Sequence, residues 1–140
     1  RQTGRYGMVV PRFVSQALSG EPLTVYGTGE QRRCFSEVSD LVPAMVGLIE
    51  CEAALGEVVN LGSHESISIA DLARLVIEVT GSSSEIVLVP YDEAYPAGFE
   101  DMEARAPDTT KARELVGFSP KMDLRRSIER IVEYVRSASN

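Results

Sequence analysis

Two arginines have the chemistry and the sequence positions that a phosphate-binding site needs. Arg33 follows a glycine-rich turn and opens an extended segment, and Arg105 lies in a loop three residues before Asp108. A guanidinium stays charged and offers its N–H donors as a planar fork, so it can bind a phosphate or diphosphate with paired hydrogen bonds. The residue types are compatible with an anion clamp, and an ordinary surface position is the alternative for each arginine.

The distribution of charge also favours a small anionic ligand. The 140 residues carry a formal net charge of −7, yet residues 1–33 hold five arginines against two glutamates and are therefore positive. A small basic region on an acidic protein suits a compact anion better than a polyanion, so we expect no nucleic-acid partner. We expect no membrane partner either, because no apolar run approaches the roughly 18 residues that a membrane helix needs.

Other kinds of catalytic or cofactor site find little support. Residues 27–29 (GTG) follow a predicted strand, but Arg32 stands where a dinucleotide-binding loop has its third glycine. The single histidine, His64, lies in a polar turn, where an exposed loop position is the expected role. Cys34 and Cys51 have neither metal-ligand nor redox-motif spacing. We therefore expect no metal site and no disulfide, and the thiols predict a cytoplasmic location.

Alternating helices and short strands are predicted around these residues. Apolar side chains recur with helical spacing in five segments: 8–18, a helix that begins near 40 and ends before 56, 68–80, 109–116, and a last helix capped by Asp123. Short strands are expected at 23–26, 57–61 and 85–89, a weaker extended segment at 33–38, and a long loop at 91–107. The pattern predicts an α/β (α+β) fold with few short strands and about five helices.

Four motifs, in order, resemble a known enzyme family. They are residues 22–40 (PLTVYGTGEQRRCFSEVSD), 57–62 (EVVNLG), 105–108 (RAPD) and 115–120 (LVGFSP). The set is similar to the extended short-chain dehydrogenases of the NAD-dependent epimerase/dehydratase family, which act on nucleotide sugars. The resemblance implies that residues 1–140 are one domain, the small C-terminal sugar-nucleotide-binding part. It also implies that the N-terminal NAD-binding domain is absent, with no Rossmann fold in this chain.

The resemblance further implies a substrate-binding set. The pocket for a uracil or thymine base would involve two residues before the matched proline and the strand that follows the first helix: Met8, Val9, Thr24, Val25 and Tyr26. Backbone groups of an extended strand can bind a base edge, and an aromatic ring can flank the base or ribose. Core packing remains the alternative for Met8, Val9 and Tyr26.

The same resemblance assigns the diphosphate end of the ligand. Arg33 and Arg105 match the two arginines that bind the diphosphate in the family. Asp108 would bind a ribose hydroxyl or hold Arg105 in place, and Asn60 would bind phosphate or orient the arginines. Arg32 departs from the family pattern, in which a small residue is frequent. The sequence leaves open whether Arg32 contacts phosphate or faces solvent.

The family's catalytic pair is missing from this sequence. The chemistry depends on Tyr-x-x-x-Lys, and none of the five tyrosines has a lysine four residues later. We therefore expect no catalytic residue here, no NAD bound by this fragment, and no activity of the fragment alone. The full-length parent would bind NAD and act on a UDP- or dTDP-sugar through a 4-keto intermediate, in the manner of a UDP-glucose 4-epimerase.

The resemblance also implies protein partners for this chain. The missing Rossmann domain is one expected partner and a second copy in a homodimer is another. Loss of that domain is expected to expose the apolar sides of the helices at 8–18 and 40–50. A stand-alone nucleotide-sugar-binding module, or a protein-interaction module without catalysis, remains the alternative function.

Overall fold

The computed structural model describes residues 8–94 and 102–138, and these form a mixed α/β fold. The six α-helices are α1 Val9–Ser19, α2 Val38–Glu50, α3 Ile69–Thr80, α4 Tyr91–Ala94, α5 Thr110–Val116 and α6 Leu124–Ala138. The five short strands are β1 Leu23–Tyr26, β2 Arg32–Cys34, β3 Ser66–Ser68, β4 Ile86–Val89 and β5 Ala104–Arg105. The predicted fold class is confirmed, with a short helix, α4, added to the five expected.

The described residues divide into two compact units, each with its own sheet. The first unit contains residues 8–31, 68–94, 102–103 and 125–138. The second unit contains residues 32–67 and 104–124.

In the first unit, β1 and β4 form a parallel pair that packs with α1 and α3. The register runs from Leu23 opposite Ile86 to Tyr26 opposite Val89. The core consists of fully buried side chains from α1, β1, α3 and α6: Phe13, Val14, Leu23, Val25, Leu72, Val76 and Ile128. Because the apolar stripe of α1 is buried in this core, the expectation that it would be exposed is wrong.

Two helix termini in the first unit behave as the sequence predicts. Gly20 ends α1 in the left-handed conformation, with φ of 69°. Ser68 caps α3, since its hydroxyl oxygen accepts a hydrogen bond from the Asp71 N–H at 3.0 Å and donates one to the Asp71 carboxylate at 2.8 Å. This reciprocal bonding places the start of α3 at the predicted residue.

The second unit holds a three-stranded sheet of order β3-β2-β5 and a small apolar cluster. β2 and β5 are parallel, with Arg32 opposite Ala104 and Arg33 opposite Arg105. The cluster joins α2 and α5 to the neighbouring loops: Ala44, Ala112 and Phe118 are buried, with Leu41, Val59, Leu61 and Val116 packed against them.

Two predicted elements differ in the structure. Residues 57–61 form no strand. Their apolar side chains, Val59 and Leu61, pack against the apolar cluster of the second unit and belong to no sheet. The strand lies instead at Ser66–Ser68. The expected loop at 91–107 contains α4 and β5 in its described part, and residues 95–101 lie outside the described residues.

The start of α2 also differs from the prediction. The helix begins at Val38 with Glu37 as N-cap, whose carboxylate accepts from the Ser39 N–H at 2.6 Å. Asp40 lies in the first turn, and its carboxylate accepts from the backbone N–H groups of Lys121 and Met122 at 3.0 and 2.9 Å. Asp40 therefore ties the chain after α5 to α2 instead of capping the helix.

One side of α2 is apolar and exposed, as expected for the helix near 40–50. Its exposed side chains have helical spacing: Val38, Val42, Met45, Val46 and Ile49. Ile49 is the most exposed of them, at 81%. We call these five residues the α2 apolar face. No helix among the described residues is long and apolar enough to cross a membrane.

Candidate functional site

The residues expected at the base end of the ligand all belong to the first unit. Along β1, Leu23 and Val25 are fully buried, whereas Thr24 and Tyr26 are half-buried and lie on the other face. Val25 is therefore a core residue of the first unit, and none of its surface is exposed. Met8 is 61% exposed just before α1, and Val9 is half-buried in its first turn.

Two side chains of α1 form hydrogen bonds with the backbone of Thr24. Arg12 donates from Nη2 to the Thr24 carbonyl at 2.9 Å. Gln16 accepts the Thr24 N–H at 3.3 Å and donates to the Thr24 hydroxyl at 3.1 Å. A base edge can reach these backbone groups of β1 only by displacing the two side chains. No sequence motif singles out Arg12 and Gln16, although their spacing of four residues places them on one face of the helix.

Tyr26 is contacted by other side chains at its ring and at its backbone carbonyl. The Arg12 guanidinium carbon lies 4.2 Å from the centroid of the Tyr26 ring, which is a cation–π stack. Gln31 donates from its side chain to the Tyr26 carbonyl at 2.8 Å. The next residue, Gly27, has φ of 67°, and a Cβ at this position would collide with the Tyr91 ring. Glycine is therefore required directly after Tyr26.

The second unit brings Arg33 and Arg105 together. They are register partners in the parallel β2–β5 pair, although 72 residues separate them in sequence. Neighbouring strands lie about 4.8 Å apart and register partners share one face of a sheet, so the two arginine side chains leave β2 and β5 on the same face. The Arg33 guanidinium donates from Nη1 to the Arg32 carbonyl at 2.7 Å. Like charges at such positions repel each other. A doubly charged anion that both side chains bind would remove this repulsion.

Asn60 and Asp108 lie beside each other in the same unit. Asn60 donates from Nδ2 to the Asp108 carbonyl at 3.4 Å. The Asp108 carboxylate accepts from the Thr110 N–H at 2.9 Å, at the start of α5. Hydrogen bonds from the Thr110 backbone and side chain lower the pKa of Asp108 below its usual value, because they favour the ionised form. Asp108 thus stays negative at neutral pH and contributes to the start of α5.

The sequence left the role of Arg32 open, and the structure shows its contacts within the sheet. Its guanidinium donates to the Ser66 carbonyl at 2.5 Å and to the Ser66 hydroxyl at 3.2 Å. Arg32 therefore ties β2 to β3, and its side chain contributes to the sheet that carries Arg33.

Gly62 fits between two segments of the second unit. A Cβ at this position would lie 2.9 Å from Pro107 Cγ and 3.4 Å from the Ser36 hydroxyl oxygen. Next to it, the Ser63 N–H donates to the Ser36 hydroxyl at 2.8 Å. The chain after Asn60 and the chain between Arg105 and Asp108 therefore pack closely.

The described residues contain no group of three or more His, Cys, Asp or Glu side chains that could hold a metal ion. Gly27 and Gly29 lie in a turn that leads from β1 to β2 and not to a helix. A dinucleotide loop places the pyrophosphate at a helix N-terminus, so this turn does not fit NAD.

Comparisons with known proteins match almost the whole chain. The family model described as GDP-mannose 4,6 dehydratase matches residues 1–131. A UDP-N-acetyl-alpha-D-glucosaminuronate decarboxylase from Bacillus cytotoxicus is 40% identical over 137 residues, which are 98% of this chain and 42% of the relative. A UDP-glucuronic acid decarboxylase from Xenopus tropicalis is 41% identical over 130 residues, which are 93% of this chain and 29% of the relative.

Solved structures give the same result. The UDP-glucose 4-epimerase of Thermotoga maritima, solved with UDP-glucose, is similar with a TM-score of 0.84 and 31% identity, over 98% of this chain and 42% of the epimerase. In each of these matches the chain spans less than half of the relative's length. The family model and the relatives show that the chain belongs to the extended short-chain dehydrogenases of the NAD-dependent epimerase/dehydratase family.

Proposed function

We propose that this chain binds the nucleotide diphosphate of a UDP- or dTDP-sugar for an NAD-dependent epimerase, dehydratase or decarboxylase. The observation that carries the proposal is the register pairing of Arg33 with Arg105 on adjacent parallel strands. Two permanently charged side chains that start from the same face suit the two phosphates of a nucleoside diphosphate, and Arg33 would exchange its bond to the Arg32 carbonyl for one to phosphate. The relatives described above act on UDP-sugars or were solved with one, so UDP is the first ligand to test.

In this proposal the chain's own residues anchor the substrate. Arg33 and Arg105 bind the diphosphate, and Asn60 and Asp108 shape the segment that carries Arg105. The base end is assigned to Met8, Val9 and β1, with Tyr26 as the aromatic contact. Fixing the non-reacting part of a substrate orients the reacting sugar. NAD supplies hydride transfer in the family, and we place its site in the parent protein outside this chain.

We also propose that the parent's additional length includes a Rossmann domain that covers the α2 apolar face. The chain spans 42% of the Bacillus relative, so such a protein has ample further sequence. Exposed apolar side chains at positions 38, 42, 45, 46 and 49 form a larger contiguous patch than isolated surface residues would. The same face is the observation that favours the alternative function, an interaction module whose partner is a second copy or another protein.

The first experiment is a calorimetric titration of the chain with UDP, dTDP and ADP. We expect UDP or dTDP to bind and ADP to bind more weakly. Arg33→Ala should weaken UDP binding about tenfold or more, since a hydrogen-bonded charge pair contributes roughly 1.5–3 kcal/mol. Arg74→Ala is the matched control, because Arg74 is exposed on α3 and pairs with Asp71. Equal UDP affinity in the Arg33 and Arg74 variants would contradict the proposed role of Arg33.

A second experiment separates the substrate-binding function from the interaction module. Light scattering should report self-association of the chain, and Met45→Glu on the α2 apolar face should reduce it while leaving UDP affinity unchanged. An interaction module without a nucleotide site predicts the same change in association but no UDP binding by either protein. A monomer with no response to Met45→Glu would contradict the proposed role of the α2 apolar face.

A further inference from the structure

Arg12 combines three contacts that an ordinary surface arginine does not make. It stacks on Tyr26 with 4.2 Å between the guanidinium carbon and the ring centroid, and it donates to the Thr24 carbonyl at 2.9 Å. Its guanidinium carbon also lies 5.4 Å from the centroid of the Phe13 ring. One side chain of α1 therefore contacts both half-buried residues of β1.

The position of Arg12 leaves one of its own donors without a partner. Among the described residues, Arg12 Nε is a buried side-chain nitrogen with no hydrogen-bond acceptor. A buried unpaired donor costs free energy, so such a group in a native structure calls for an explanation. The planar guanidinium lies over the ring and reaches the Thr24 carbonyl at the same time, and Nε then faces no acceptor. The arrangement keeps contact with β1 at the expense of one hydrogen bond.

We infer that Arg12 is a positioning residue that fixes the Tyr26 ring for the base of the nucleotide. This inference rests on the proposed function, in which Tyr26 contacts the base. An aromatic side chain that is already held in one orientation loses less conformational entropy when a ligand binds. Arg12 therefore acts on affinity through Tyr26 and not by binding the diphosphate, because its guanidinium is engaged with β1.

The stack has a magnitude that binding measurements can detect. Arg12→Met keeps the aliphatic length of the side chain and removes the cation and the donor to Thr24. We expect UDP affinity to fall about fivefold, which matches a partly desolvated cation–π contact. Inorganic pyrophosphate, which lacks a base, should bind the variant as it binds the original chain. Arg12→Lys keeps the charge but not the planar stack, so it should recover only part of the loss.

A double-mutant cycle tests whether the effect passes through the ring. Tyr26→Leu removes the aromatic partner, and in that background Arg12→Met should cause almost no further loss of UDP affinity. Arg74→Met is the control for loss of one positive charge in the same unit. The thermal midpoint should change by less than about 4 °C in Arg12→Met, because the change also removes an unpaired buried donor.

The measurements distinguish failure of the inference from failure of the proposed function. UDP binding that Arg12→Met leaves unchanged, or weakens equally with and without the Tyr26 ring, overturns the positioning role alone. Equal weakening of pyrophosphate and UDP binding also overturns it, because Arg12 would then act on the diphosphate. A chain that binds no UDP at all overturns the proposed function and the inference together. A base-dependent loss that disappears with the Tyr26 ring supports the role of Arg12.

Discussion

Replacement of Gly62 by alanine should disturb the segment that carries Arg105 and Asp108. The new Cβ would lie 2.9 Å from Pro107 Cγ, whereas nonbonded carbon atoms prefer separations of roughly 3.5–4.0 Å. Pro107 must therefore move by about 0.6 Å or more, and Ala106 and Asp108, which flank it in the motif at residues 105–108, must move with it. The backbone of Gly62 does not have the positive φ seen at Gly27, so the effect is steric and not conformational.

The size of the Gly62→Ala effect follows from overpacking. Added methyl groups in tightly packed sites cost about 1–3 kcal/mol, so the thermal midpoint should fall by roughly 3–10 °C. Displacement of the Arg105 side chain by a fraction of an ångström should also weaken UDP binding about tenfold. Differential scanning calorimetry and isothermal titration with UDP measure the two effects separately.

Gly47→Ala is the matched control for this substitution. Gly47 lies in α2 of the same unit, and a Cβ there would lie at an ordinary 3.5 Å from the Val116 side chain. Alanine in a helix is better than glycine by about 1 kcal/mol, so this variant should be more stable and should bind UDP normally. If Gly62→Ala melts and binds like Gly47→Ala, the proposed packing of Gly62 against Pro107 is refuted.

Three further predictions follow from the described contacts. Phe13→Ala should destabilise the chain by about 3–5 kcal/mol in chemical denaturation, since the Phe13 side chain is fully buried in the first unit; a loss below about 1 kcal/mol would contradict this. Ser68→Ala should cost about 1 kcal/mol by the same measurement, because it removes the N-cap of α3; stability equal to that of the original chain would show that the cap is dispensable. The pKa of Asp108 is lowered in the folded chain, so its stabilising contribution is present above the ordinary aspartate pKa and is lost as the pH falls through the lowered value. The free energies of unfolding of Asp108→Asn and of the original chain should therefore differ at pH 7 and become equal in acid. A difference that persists below about pH 2 would refute this.

The sequence predicts elements well where local signals and tertiary packing agree. Leu23–Tyr26 is a strand with the predicted bounds, and Ser68 caps α3, because alternation and capping chemistry are local. At 57–61 the apolar residues are explained by burial against the small cluster, which periodicity does not distinguish from a strand. Strands as short as β3 and β5 depend on their partners, so no local pattern predicts them.

The candidate site shows the same division. The family resemblance selects Arg33 and Arg105, but their register across two strands of three and two residues depends on sheet pairing. Arg12 carries no motif, and its stack on Tyr26 depends on how α1 packs on β1. The engagement of the Thr24 backbone by Arg12 and Gln16 likewise requires coordinates, because the sequence does not place α1 side chains at a strand edge.

The two α1 side chains at Thr24 have a consequence for association of this chain. Among the described residues, Leu23–Tyr26 pairs with one other strand, Ile86–Val89, and open strand edges of this kind recruit strands from other molecules. Arg12 and Gln16 already bond the carbonyl and the N–H of Thr24, so another strand would have to displace both to extend the sheet at this point. The two side chains of α1 thus also protect β1 from edge-to-edge aggregation.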